Sequence, residues 1–144
     1  LTNVEKSIVK KLRQIEEQTK NNQTICLNVA FDYGSRQEIV DAVKKIIVAI
    51  ESKNTENKNS ENKKTNLDQI DEALISQNLY QPQVPDPDLL IRTAGELRLS
   101  NFLLWQLTYS ELYFTEKFWP DFSKEDLHRA ILEFNQRKRN YGKR

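Results

Sequence analysis

The chain has 144 residues, enough for one domain with a real core, and its 22 Lys+Arg against 21 Asp+Glu leave a formal net charge of +1, which argues against a strongly basic nucleic-acid binder. No run approaches the roughly 18 apolar residues of a transmembrane helix, and the polar Leu1–Lys20 stretch is no signal peptide. Cys26 is the single cysteine and His128 the single histidine, which excludes a disulfide framework and weighs against a zinc cluster or a Ser-His-Asp triad.

In chain order, Val4, Ile8, Leu12 and Ile15 recur at helical spacing, which predicts an amphipathic helix over Leu1–Lys20. After the polar break Asn21–Gln23, Thr24–Phe31 (TICLNVAF) reads as a buried strand, and Asp32–Ser35 as a turn. A second helix is expected over Arg36–Glu51, with Ile39, Val40, Val43, Ile46, Ile47 and Ile50 on its apolar face. Ser52–Asn66 holds no apolar residue in 15 positions, so a flexible, solvated loop is expected. Asn66 caps a predicted helix over Leu67–Ser76. Pro82, Pro85 and Pro87 then keep the chain extended. Leu89–Ile91 reads as a buried strand, Thr93–Ser100 as the loop at its carboxyl end, Asn101–Thr108 as a short helix and Leu112–Thr115 as another strand. Ser123, with Asp126 at the box position, starts a last helix with Leu127, Ile131 and Phe134 inward, ending near Tyr141-Gly142. Strands alternating with helices give an α/β fold with a largely parallel sheet flanked by helices. About three strands make a thin sheet, so an incomplete fold is expected. The lack of any methionine, at position 1 included, likewise leads us to expect a processed chain or part of a longer product.

Ligands of open α/β sheets bind outside the carboxyl ends of strands. Two segments fall there, Asp32–Arg36 and Arg92–Asn101. The second is the sharper. It places Arg92 at a strand end and Arg98 six residues on, while Ser100 adds a hydroxyl and Gly95 allows the backbone close approach to a ligand. Two guanidinium forks and a hydroxyl suit a phosphate or diphosphate. The plain alternative is that both arginines pair on the surface with Glu96 and nearby acids. Glu111 could supply a carboxylate to a divalent metal that neutralises a diphosphate, or it is a solvated loop residue. Trp105, Tyr109, Tyr113, Phe114, Phe118, Trp119 and Phe122 form an aromatic cluster expected mostly in the core, with a ligand tunnel as the lesser alternative. Cys26 is expected in the core and His128 part-exposed on the last helix. Arg137, Lys138, Arg139, Lys143 and Arg144 suit the negative end of a helix dipole, with RNA or membrane contact the lesser alternative.

The stretch Pro85–Phe122 closely resembles the cis-prenyltransferases, the undecaprenyl diphosphate synthase family. The resemblance is carried by Asp88-Leu-Leu-Ile-Arg-Thr followed by Gly95-Glu96-x-Arg98-x-Ser100-Asn101-Phe102-Leu-Leu-Trp105-Gln106, and by Asn28-Val-Ala-Phe-Asp-Tyr-Gly34 with Arg36. It runs nearly end to end, with Ser52–Asn66 as a divergent loop.

This resemblance implies an enzyme that condenses isopentenyl diphosphate with cis geometry onto an allylic diphosphate such as farnesyl diphosphate, giving a polyprenyl diphosphate. It implies that Arg92, Arg98, Leu99 and Ser100 bind isopentenyl diphosphate, that Asn28, Glu96 and Asn101 support them, and that Glu111 contributes to a Mg2+ site, within a chain or across a homodimer. The family's catalytic aspartate sits in a His-Gly-Asn-Gly-Arg-Trp-like segment that this sequence lacks, so the aspartate is expected upstream, and residues 1–144 are expected to be the carboxyl-terminal part of a single cis-prenyltransferase domain, inactive alone. Ala94 and Ser35 are mild departures, standing where Gly or Ser and Gly are common. Asn140 replaces the arginine of the family's Arg-x-Gly tail. The alternative is a non-catalytic accessory subunit of a heteromeric enzyme. No nucleic acid and no transmembrane segment are expected. Peripheral membrane contact through the lipid product, and a cytoplasmic or plastid-stroma location, complete the reading.

Overall fold

The computed structural model describes residues 4–56 and 69–138, the side chains of 53–56 excepted. The chain divides into two compact units, Leu1–Tyr33 and Gly34–Arg144.

The first unit contains helix α1 (Lys6–Thr19) and a following segment without regular secondary structure. The apolar stripe of α1 is weakly covered: Ile8 and Ile15 are exposed, while Val4, Val9 and Leu12 are half-buried. The predicted strand Thr24–Phe31 is absent. The segment has no regular secondary structure and no ladder partner among the described residues, with Ile25 and Leu27 each 83% exposed. A strand exists only as a ladder with a neighbour, and the described residues bring none to this segment. Cys26 is therefore exposed and not a core residue.

The second unit opens with α2 (Ser35–Glu56), which runs five residues into the stretch expected as loop. Lys, Glu and Asn there continue a helix without an apolar face at small propensity cost. The rest of that stretch, 57–66, lies outside the described residues. α3 (Glu72–Asn78) starts later than predicted because the Asp71 side chain caps it, accepting from Leu74 N at 2.8 Å. Strands β1 (Leu89–Arg92) and β2 (Glu111–Phe114) pair in parallel with Leu89 opposite Glu111 and Arg92 opposite Phe114. The sheet described here thus has two strands. Asn101–Thr108 is a run of turns instead of a helix, because Asn101 (φ 63°) and Leu103 (φ 45°) are left-handed.

α4 (Lys124–Gln136) begins on the predicted capping box: Ser123 and Asp126 exchange side-chain-to-backbone bonds. Its predicted end at Tyr141-Gly142 lies outside the described residues. Its buried side differs from the prediction. Asp126 and Ala130 face inward, while Leu127 and Ile131 are exposed. α2 packs on α3, and α4 on β2. Among the described residues the buried apolar ones are few, Ala42, Ile46, Leu79, Leu107 and Ala130. Most of the aromatic cluster lies outside that core: Tyr109, Phe118 and Trp119 are 85%, 64% and 74% exposed. The α/β class holds, on a sheet smaller than the sequence suggested.

Candidate active site

Arg92 ends β1 and is half-buried. With Leu90, Ile91, Leu99 and Phe102 it lines a cleft of about 200 Å³. Its Nε is buried and has no hydrogen-bond partner among the described residues. A buried guanidinium nitrogen left unpaired is costly and calls for an acceptor that enters from outside. The backbone just beyond is pinned by the segment after β2: Ala94 N donates to Lys117 O at 2.7 Å and Gly95 N to Thr115 O at 2.9 Å. Both Ala94 and Gly95 are left-handed, at φ 67° and 68°.

The next turn carries the other predicted residues. Arg98 is exposed and paired with Glu96, as the plain surface alternative anticipated. Leu99 reaches the Arg92 cleft, while Ser100 is exposed at φ 50°. This turn is held by the start of α2. Ser35 N donates to Asn101 O and Arg36 N to Asn101 Oδ1, each at 2.9 Å, and Leu104 N donates to Ser35 Oγ at 2.9 Å. Gly34 leaves the space for this clamp, since a Cβ there would sit 2.7 Å from Asn101 Nδ2.

Ser35 and Glu38, both fully or nearly fully buried, were not among the predicted residues. Glu38 accepts from Tyr80 N at 2.9 Å and from Gln106 Nε2 at 3.3 Å, joining α2 to the segments before β1 and β2. The pattern Ser35-x-x-Glu38 was a visible signal, because it spells a capping box at a helix start.

Glu111 is elsewhere. It opens β2 opposite Leu89, three ladder positions from Arg92. Three residues are about 10 Å of strand, and an odd offset puts the two side chains on opposite faces. The β1–β2 register thus gives the two side chains no common face. Glu111 Oε2 accepts from Arg137 Nη1 at 2.8 Å, Arg137 Nη1 also reaches Leu112 O at 2.9 Å, and Arg137 Nη2 meets Glu133 Oε1 at 2.5 Å. These carboxylates, Glu111 first, hold the Arg137 guanidinium above its ordinary pKa. Among the described residues no cluster of three His, Cys, Asp or Glu forms a metal cage. Asn28 is exposed in the first unit, with its Oδ1 3.9 Å from Cys26 Sγ.

Residues 1–142 match the prenyltransferase family model described as undecaprenyl diphosphate synthase. The chain belongs to the undecaprenyl diphosphate synthase family. Among the similar members of this family are the isoprenyl transferases of Fusobacterium nucleatum, 48% identical over 97% of this chain and 54% of the relative, and of Thermotoga maritima, 48% identical over 94% and 53%. Among solved structures, lavandulyl diphosphate synthase from Lavandula x intermedia, in complex with dimethylallyl diphosphate, superposes with a TM-score of 0.86 at 35% identity over 99% of this chain and 57% of its own. A probable undecaprenyl diphosphate synthase from Campylobacter jejuni gives 0.76 at 38% identity over 99% and 60%. The chain thus spans about half the length of the family members it matches. Among the described residues no helix is long and apolar enough to cross a membrane.

Proposed function

We propose that this chain is the carboxyl-terminal part of a cis-prenyltransferase domain and carries the isopentenyl-diphosphate-binding portion of an enzyme that elongates an allylic diphosphate. The observation that supports this most directly is the unpaired, buried Nε of Arg92 in the cleft shared with Leu99. A diphosphate oxygen supplies the missing acceptor. Arg98 adds a second fork once it leaves Glu96, and the Ser100 hydroxyl donates to the same group. Asn101 and Glu96 support the turn. The apolar wall of Leu90, Ile91 and Phe102 excludes water beside the bound diphosphate, where a carbocation would otherwise be quenched.

A Mg2+ ion would neutralise diphosphate charge in such a site. Glu111 fits it as a single carboxylate ligand, since Mg2+ is usually held by one or two carboxylates together with substrate phosphates. Its placement on the far face from Arg92 favours service to a diphosphate held by a second copy, in a homodimer. The catalytic aspartate is expected outside residues 1–144.

The test is kinetic, on the native protein. Arg98→Ala should raise KM for isopentenyl diphosphate roughly 10- to 100-fold, the worth of one charge-assisted hydrogen bond, with a small effect on the allylic substrate. Equal losses on both substrates would remove Arg98 from this role. A native protein that stays silent until mixed with a second, different chain would establish the accessory-subunit reading instead.

A further inference from the structure

We infer that Arg137 is a positioning residue for Glu111, fixing the carboxylate that serves the metal; this rests on the proposed metal role of Glu111. Arg137 follows the last turn of α4 and spans three partners on two elements. One nitrogen bridges Glu111 Oε2 and the carbonyl of Leu112 at 2.8 and 2.9 Å, and the other holds Glu133 at 2.5 Å. The Leu112 carbonyl is backbone of β2, so the guanidinium is registered against the strand and not only against a mobile side chain. Both members of the central pair are only about 30% exposed, Arg137 at 30% and Glu111 at 28%. A planar fork docked on backbone and on two carboxylates leaves Glu111 a single orientation. It occupies Oε2 and leaves Oε1 as the ligand atom, which suits a metal that takes one oxygen from a carboxylate. Carboxylate ligands are ordinarily held by such outer partners, whose loss costs roughly 10- to 100-fold in metal affinity. Lysine would keep the charge but lose the bridge between Glu111 and Leu112.

The test is Mn2+ binding to the native protein in the presence of isopentenyl diphosphate, read as protein-dependent water-proton relaxation, beside the KM for isopentenyl diphosphate at saturating Mg2+. Arg137→Ala should weaken Mn2+ binding roughly 10-fold or more, with that KM changed less than about twofold. Arg137→Lys, which keeps the charge and disturbs folding less, should fall between it and the wild type. Normal Mn2+ binding in a folded Arg137→Ala or Arg137→Lys protein would overturn the inference, whatever the change in melting temperature. Tighter binding would overturn it too, showing that Arg137 competes with the metal. Glu111→Gln separates the two levels. If it binds Mn2+ like the wild type, the metal role of Glu111 itself fails and the inference with it. If it loses binding while both Arg137 variants keep it, only the inference fails.

Discussion

Ser100, Asn101 and Leu103 all hold positive φ within four positions, on the turn that presents the proposed diphosphate ligands. Left-handed backbone costs an ordinary L-residue about 1–2 kcal/mol, so something must hold it. The holder is Asn101, whose side chain and carbonyl both take amide protons from the start of α2. Asn101→Ala removes the side-chain acceptor and worsens the φ, and should lower stability by about 1–2 kcal/mol. Asn101→Gly loses the same acceptor but eases the backbone, so it should lose less. Urea unfolding of the two variants checks the order; a glycine variant less stable than the alanine one would mean that φ is not the strained quantity. Arg98, two residues before this turn, is exposed and paired with Glu96. Residue type alone pointed to Arg92 and Arg98 equally, and burial separates them.

At the scale of elements, the legible features were the local ones. The α4 cap was readable because Ser123 and Asp126 satisfy each other within four residues. β1 was readable because a short apolar run after three prolines admits little else. Several misread features depended on partners far along the chain: the pairing of Thr24–Phe31, the exposure of Trp119 and Tyr109, and the use of Ser35 and Glu38 for tertiary contacts. The site was legible as a set of residue types. Its division between two faces of the sheet was not, since that needs the β1–β2 register. The cap also has a pH signature. Hydrogen bonds from Lys117 first, then from the Ser123 side chain and backbone, hold Asp126 well below its ordinary value of 3.8. A depressed folded-state pKa stabilises above the unfolded value and loses that contribution as pH falls through the folded one. Asp126→Asn should therefore lower the melting temperature at neutral pH, with the gap closing below about pH 4. Melting curves across pH test this, and a gap that stays constant into strong acid would contradict the assignment.

At the scale of the molecule, the offset of Glu111 from Arg92 has a genetic consequence. If each site takes its arginine from one copy and its carboxylate from the other, Arg92→Ala and Glu111→Gln proteins, each inactive, should complement when unfolded and refolded together. One site of the mixed dimer is then intact and the other doubly defective. Half the dimers in an equal mixture are mixed, so about a quarter of wild-type activity should return. No recovery in a mixture shown to contain mixed dimers would place both groups on one chain. The first unit carries a different consequence. Thr24–Phe31 holds no charge, proline or glycine, its apolar side chains are in solvent, and its backbone has no ladder. Such a segment is a template for stacking like upon like. The 144-residue chain should therefore have a concentration ceiling, above which it seeds fibres from this segment and so has a limited shelf life in concentrated stock.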